Sequence, residues 1–217
     1  MCGITGKVSF TGKAVSGAEN SEMNQAIAHR GPDDSGVFIS PRGGVGLGHR
    51  RLAIIDLSPL GHQPMEYLGR YHIVFNGEIY NFQESGPCWK TRVSSASRSD
   101  TEVAPALYHK YRETCLEHLR GMFAFAIYEK GKHDFLRPGP DRQETAPNII
   151  WTTRFFCSPS ELKSILTQPE YRKEPISKPS AIISPFAVLP GASSPVSRTS
   201  ANWSLLTISG STLRLAP

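Results

Sequence analysis

No apolar run in this 217-residue chain approaches the ~20 residues that a membrane-crossing helix needs, and no basic-then-apolar leader opens it. A cytoplasmic protein with no membrane partner is the expectation. Charge of one sign is not concentrated anywhere: the net charge of +5 comes from scattered basic residues, which argues against nucleic-acid binding. Cysteine is scarce. The four present, Cys2, Cys88, Cys115 and Cys157, form no C-x-x-C pair and have no histidine at ligand spacing, so no metal site is expected. In a reducing compartment they are free thiols, and most free cysteines act as inert small hydrophobes. Cys115 fits that role inside a helical pattern. Cys2 does not, because a core cannot easily bury the second residue of a chain. No internal repeat is visible.

The composition that remains is ordinary for a globular protein, with 39% hydrophobic and 20% charged residues, enough for one core or one domain plus a tail. From Met1 to about Phe82 strand and turn signals alternate. Val8-Ser-Phe10, Val37-Phe-Ile39 and Tyr71-His-Ile-Val-Phe75 are short β-rich runs bounded by Gly, Asn, Asp or Pro. Gly44-Val-Gly-Leu-Gly48 leads into Leu52-Ala-Ile-Ile55, a further strand candidate, and Ser21 to Ala28 reads as a short helix. Ser99-Asp-Thr-Glu102 has the form of a capping box, followed at helical spacing by Val103, Leu107, Tyr111, Cys115 and Leu119. Pro105 falls inside that helix, where an interior proline would cost ~3 kcal/mol. Gly121 to Tyr128 is a continuous apolar run, as expected of a buried strand. Helices mixed with antiparallel strands predict a layered α/β sandwich. After about Leu136 prolines arrive at short intervals and interrupt helix and ladder alike, so 168–205 reads as loop or disordered tail.

Cys2 becomes N-terminal if Met1 is cleaved, which a small second residue generally permits. Its free α-amino group, with an ordinary pKa of about 7.7–8.0, can then serve as general base to its own thiol. By position alone an incidental cysteine is the better reading. The surrounding motifs reverse that. They are Met1-Cys-Gly-Ile-Thr-Gly6, His29-Arg-Gly-Pro-Asp-Asp-Ser-Gly36, Gly46-Leu-Gly-His-Arg-Arg-Leu-Ala-Ile-Ile-Asp56, Gln63-Pro-Met65 and Phe75-Asn-Gly-Glu-Ile-Tyr-Asn81.

Together, in this order, these segments resemble the class II glutamine amidotransferases, and within them the glutamine-hydrolysing asparagine synthetases. The likeness is dense over 1–83 and good over 98–136. It implies an N-terminal-nucleophile (Ntn) hydrolase fold, an αββα sandwich of two antiparallel sheets between helical layers, to which the proline-rich composition adds an irregular or disordered C-terminal third. It also implies roles. Cys2 attacks the side-chain amide of glutamine. Asn76 and Gly77 form the oxyanion hole, two fixed donors aimed at developing charge. Arg51 grips the substrate α-carboxylate, and Glu78 and Asp100 hold its α-ammonium. Taken singly each has a plainer reading: Asn76-Gly77 a hairpin turn, Arg51 a surface cation, Asp100 a first-turn helix residue. His29, Arg30, Asp33 and His49 read as scaffold.

The family pattern breaks after Leu136, where Arg137-Pro-Gly-Pro-Asp-Arg-Gln-Glu-Thr-Ala-Pro147 replaces an expected Ala-Arg-Asp-Arg strand. Back-translated one base out of frame, this stretch can spell the missing motif, and Asn148 to Pro159 does likewise two bases out. Register returns at Ser160-Glu-Leu-Lys-Ser-Ile-Leu166. Small coding insertions or deletions are therefore expected to have altered 85–97, 137–159 and 174–204. The domain expectation is an amidotransferase unit over 1–166, irregular at 85–97 and 137–159, then a Pro/Ser-rich tail over 167–217 where a linker to a synthetase domain would start. This chain needs no cofactor. ATP and magnesium belong to that second domain, whose Ser-Gly-Gly-x-Asp-Ser phosphate loop does not occur here, and a separate synthetase using ammonia and aspartate is the expected partner. The expected activity is at most glutamine hydrolysis, weak or absent in this chain. The rival readings are another class II amidotransferase, of the amidophosphoribosyl or glucosamine phosphate type, and a non-catalytic remnant.

Overall fold

The computed structural model describes residues 1–54, 57–82, 100–131, 134–138, 150–151, 155–157, 159–168, 205–209 and 212–216. Two antiparallel sheets face one another. The first has strand order β2-β3-β1-β9-β8, built from β1 (Gly3–Ser9), β2 (Asp34–Ile39), β3 (Val45–Arg51), β8 (Ile150–Trp151) and β9 (Phe155–Cys157). The second has the order β11-β10-β7-β6-β5-β4, built from β4 (Met65–Tyr67), β5 (Tyr71–Ile79), β6 (Gly121–Glu129), β7 (Asp134–Pro138), β10 (Leu205–Ser209) and β11 (Thr212–Ala216).

Period-2 alternation decides which residues lie between the sheets. Ile4 and Val8 on β1, Val45 and Leu47 on β3, Val74 on β5, and Ala124, Ala126 and Tyr128 on β6 form the inter-sheet core. The opposite parity of β5 and β6, including Ile73, Phe75, Ile79, Phe123, Phe125 and Ile127, packs outward under the helix α2 (Val103–Tyr111). On the far side α1 (Gly17–Ala26) covers the first sheet. Its Met23 is fully buried, against Cys157 of β9 and Ile165 of the short helix α3 (Leu162–Ile165). Asn20 and Asn24, one turn apart on α1, donate to the Leu47 and His49 carbonyls at 2.7 and 3.0 Å, which seats the helix along β3. The expected sandwich, two antiparallel sheets between helices, is what the chain adopts.

Local differences have local causes. The strand expected over Leu52 to Ile55 does not form where described: β3 occupies Val45–Arg51 instead, Leu52, Ala53 and Ile54 are irregular, and Ile55 lies outside the described residues. The ladder stops there because its partner β1 begins at Gly3, opposite Arg50. α1 starts at Gly17 rather than Ser21, since the Ser16 side chain accepts from Glu19 N at 3.0 Å and caps it earlier. The helix expected from Val103 through Leu119 is α-helical only to Tyr111. Arg112, at φ 55°, breaks it, and a 3₁₀ stretch carries on to His118 with Cys115 and Leu119 still buried. Pro105 is harmless: a 3₁₀ turn over Asp100–Glu102 precedes α2, so the proline sits in the first α-turn, whose N–H groups have no intrahelical acceptor. Ser99, the expected cap, lies outside the described residues, as do 85–97 and 174–204. Within 137–159, β8 and β9 are formed, and β9 pairs Lys7 with Cys157 and Val8 with Phe156. Among the described residues no helix is long and apolar enough to cross a membrane.

Candidate active site

Strand parity gathers the sequence-predicted residues. Continuing the β1–β3 register one step past Gly3 and Arg50 sets Cys2 opposite Arg51, on the face that carries Ile4 and Leu47. On β5 the same inter-sheet face carries Val74, then Asn76 and Glu78. Two contacts across the sandwich fix how the sheets pass each other. Phe38 stacks on His72 at 3.8 Å, and His49 Nε2 lies 3.1 Å from the Phe75 carbonyl oxygen. Phe38 is paired with Leu47, so one step past His49 brings Arg51 and Cys2 to the level of the Asn76–Glu78 stretch. The register thus turns Cys2 and Arg51 from one sheet, and Asn76 and Glu78 from the other, toward the same end of the inter-sheet space, with Gly77 between the last two in the chain.

Cys2 is held from several sides. Its thiol lies 3.4 Å from Leu52 N, from which it accepts, and 3.6 Å from Leu52 O. The Cys2 carbonyl accepts from Arg30 Nε at 3.0 Å, and Arg30 in turn donates to Glu161 at 3.3 Å. The next ladder position is braced by Ser160, whose Oγ accepts from Ile4 N and whose amide donates to Ile4 O, both at 2.9 Å. Cys2 is half-buried while Met1 is exposed. Burial raises the Glu161 carboxyl's pKa, yet hydrogen bonds from Lys163, Arg30 and His29 outweigh this and hold it below the ordinary value, so the brace is ionic near neutral pH.

The β5 side of the site follows from ladder alternation. Strand β4 pairs only with Tyr71–Ile73, so the outward-facing amides further along β5 need other acceptors. Phe75 N–H is taken by Gln63 Oε1 at 2.6 Å and Ile79 N–H by Asp100 Oδ2 at 2.8 Å. Gly77 falls between them with its amide on the same edge of β5, away from β6, and among the described residues no side chain takes it. Its backbone demands glycine: φ is +139°, and a Cβ would stand 2.2 Å from the Met122 carbonyl oxygen. Asn76 beside it is 4% exposed, a polar side chain kept from bulk water.

Arg51 is buried, and its Nη1 donates to the Ser58 carbonyl at 2.9 Å. The loop folds over it so closely that a Cβ on Gly61 would stand 2.2 Å from Arg51 Nη2. Glu78 is exposed at the mouth, whereas Asp100 is 3% exposed with Oδ2 committed to Ile79. Asp34, opposite Arg51 on β2, is raised by burial, but the His62 hydrogen bond and the Ser35 amide outweigh this and keep its pKa below the ordinary value. Sequence reasoning did not single out Gln63, Ser160 or Glu161, and set His49 and Arg30 aside as scaffold. All five lie in family-like segments, but nothing local marked Arg30 as a contact of Cys2, His49 and Gln63 as contacts of Phe75, Ser160 as a contact of Ile4, or Glu161 as a contact of Arg30.

The match to known proteins is direct. A model of the glutamine amidotransferase domain matches residues 1–190. The chain belongs to the glutamine amidotransferase domain family. It is 37% identical over 179 residues to asparagine synthetase (glutamine-hydrolyzing) 3 of Bacillus subtilis, a match covering 79% of this chain and 28% of that protein. It is 37% identical over 138 residues to asparagine synthetase B (glutamine-hydrolyzing) of Escherichia coli, covering 63% of this chain and 24% of that protein. This amidotransferase domain therefore spans only about a quarter of the length of these two curated relatives. Among solved structures, the glutamine phosphoribosylpyrophosphate amidotransferase of B. subtilis superposes with a TM-score of 0.58 at 17% identity, over 76% of this chain and 43% of that one. The allosteric regulatory enzyme of purine biosynthesis gives 0.60, also at 17% identity, with the same coverage of each chain. At that identity the likeness speaks to the fold: an Ntn-hydrolase-type sandwich.

Proposed function

We propose that this domain hydrolyses L-glutamine to L-glutamate and ammonia through Cys2, as the ammonia-supplying part of a glutamine-dependent asparagine synthetase. The observation that carries the reading is the juxtaposition at one end of the sandwich: a half-buried N-terminal-side thiol, and a glycine amide that no described side chain takes, beside a buried Asn76. Removal of Met1 frees the Cys2 amine, which takes the thiol proton as the sulfur attacks the amide carbon. The carbonyl oxygen becomes an oxyanion, met by the Gly77 amide and the Asn76 side-chain N–H. The C–N bond breaks, ammonia leaves with a proton from the α-ammonium, and water then hydrolyses the γ-glutamyl thioester to glutamate. Arg51 receives the substrate carboxylate, with Glu78 and Asp100 on the ammonium side, a polarity that selects a free α-amino acid. Transfer of the ammonia to ATP-activated aspartate is proposed for a synthetase partner carrying the ATP and magnesium site.

The test is mass spectrometry for Met1 loss, followed by glutaminase assay and reaction with diazo-oxo-norleucine. Ammonia release with stoichiometric labelling at Cys2 is expected. A folded, Met1-free sample that neither releases ammonia nor is labelled would make the chain a non-catalytic remnant. Resequencing of the coding region checks the proposed frame changes, which an uninterrupted codon structure with no neighbouring-frame match would end.

A further inference from the structure

We infer that His49 and Gln63 are positioning residues that set the oxyanion donors by gripping both polar groups of one residue, Phe75, immediately before Asn76 and Gly77. The inference rests on the glutaminase reading above and names what holds its geometry. Phe75 N–H donates to Gln63 Oε1 at 2.6 Å, and Phe75 C=O accepts from His49 Nε2 at 3.1 Å. Its ring is buried in the outward core, stacked near Phe123 with ring centroids 6.3 Å apart. Three attachments on one residue leave it no freedom. That matters because the next residue but one is a glycine, whose wide conformational range would let its amide drift unless the preceding backbone is fixed.

His49 also links the two halves of the site. Its own backbone lies in β3, opposite Ile4 on one side and Gly36 on the other, and its carbonyl is held by Asn24. Ile4 is two residues from the nucleophile. One imidazole thus spans from the sheet that carries the thiol to the strand that carries the oxyanion donors, and so sets their separation. A carbonyl can only accept, so Nε2 bears the proton and the ring is the neutral Nε2–H tautomer. His49 is fully buried, its Nδ1 has no partner among the described residues, and burial holds its pKa at about 4. The charged groups that face it are Asp34, His62 and Arg51. Gln63 is 6% exposed, so its bond is likewise shielded from water.

The experiment compares the full chain with His49→Leu, His49→Gln and Gln63→Leu, each checked for folding by thermal unfolding. Glutamine turnover, alkylation of Cys2 by iodoacetamide, and binding of the γ-aldehyde of glutamate are measured together. The aldehyde forms a tetrahedral adduct with the thiol and therefore reports the oxyanion donors; iodoacetamide reports only the thiol. His49→Leu and Gln63→Leu should lower kcat by about 10²-fold with KM for glutamine little changed, the scale of losing one oxyanion donor. Aldehyde affinity should fall in parallel and iodoacetamide reactivity should not. His49→Gln, which offers an N–H at the Nε2 position, should recover most of the loss. A folded His49→Leu variant with wild-type kcat, or one whose aldehyde and iodoacetamide reactivities fall together, overturns the inference. A wild-type chain that neither hydrolyses glutamine nor binds the aldehyde overturns the glutaminase reading and this one with it.

Discussion

The two ends of the sandwich handle polar groups in opposite ways. At the far end Glu129 is 1% exposed on β6, and Arg70 and Arg112 both pair with it. Tyr71, fully buried, meets His109 at 3.0 Å and Arg112 at 3.3 Å through its hydroxyl. Among the described residues the charges there are closed on one another. At the site end the ladder amides on either side of Gly77 are stoppered by Gln63 and Asp100 while that of Gly77 itself is not. The lesson is a division of labour: a closed end that supplies stability, and an open end whose Gly77 amide no side chain takes, which is the donor the proposed glutaminase reading needs.

That contrast can be broken in a graded way. The largest effect belongs to Cys2→Ala, which should cut ammonia release by roughly 10⁴-fold or more while leaving the thermal midpoint unchanged; a marked drop in midpoint would mean that the thiol is structural. Next comes Glu129→Ala at the closed end. Two partly exposed arginines lose a buried carboxylate and its hydrogen bonds, so roughly 1–3 kcal/mol of unfolding free energy should go, with turnover per folded molecule preserved. A loss under about 1 kcal/mol in urea unfolding would remove the distinction between the ends.

Acid sharpens the comparison from the other side. His49 is held at about 4, against an ordinary 6.5, because burial disfavours the imidazolium. The unfolded chain therefore takes up this proton near pH 6.5 and the folded chain only near 4. Stability fully present above the first value falls as pH drops toward the second, by roughly 3 kcal/mol in total. Asp34 and Glu161, whose pKa values are lowered on folding, also lose their contribution as pH falls through their folded values, so the diagnostic is a difference. Unfolding free energy of His49→Gln should depend less steeply on pH across that window, and equal slopes would refute the assignment. The smallest effect is expected of Gly61→Ala. Its Cβ would displace the Arg51 guanidinium and should raise KM for glutamine about tenfold, ~1.4 kcal/mol, with kcat held; a shift in kcat alone would detach Arg51 from substrate binding.

Much of this was readable from the chain. The β-rich runs placed the strands around Val8, Val37 and Tyr71, and the apolar run from Gly121 to Tyr128 placed another; the ordered motifs singled out Cys2, Arg51, Asn76, Gly77 and Glu78 as candidates. What escaped was either local strain or distant contact. Nothing in Tyr111-Arg112-Glu113 announces that Arg112 adopts a positive φ and ends the α-helix, since its side chain is recruited by Glu129 and Tyr71 from other strands. Gln63 to Phe75 and His49 to Phe75 are side-chain-to-backbone bonds between separate elements, which periodicity does not encode. β9 escaped as well: its stretch lacks the family motif, yet three residues sufficed to pair with β1.

The bracing of β1 by Ser160 sets an order of events. The bonds between Ile4 and Ser160 join residues 156 apart, and Lys7 to Gln168 joins residues 161 apart. During synthesis both wait until residues 160–168 have cleared the ribosome. The first part of the chain to be made is thus among the last to be locked, and the thiol reaches its final setting only when nearly the whole unit is present.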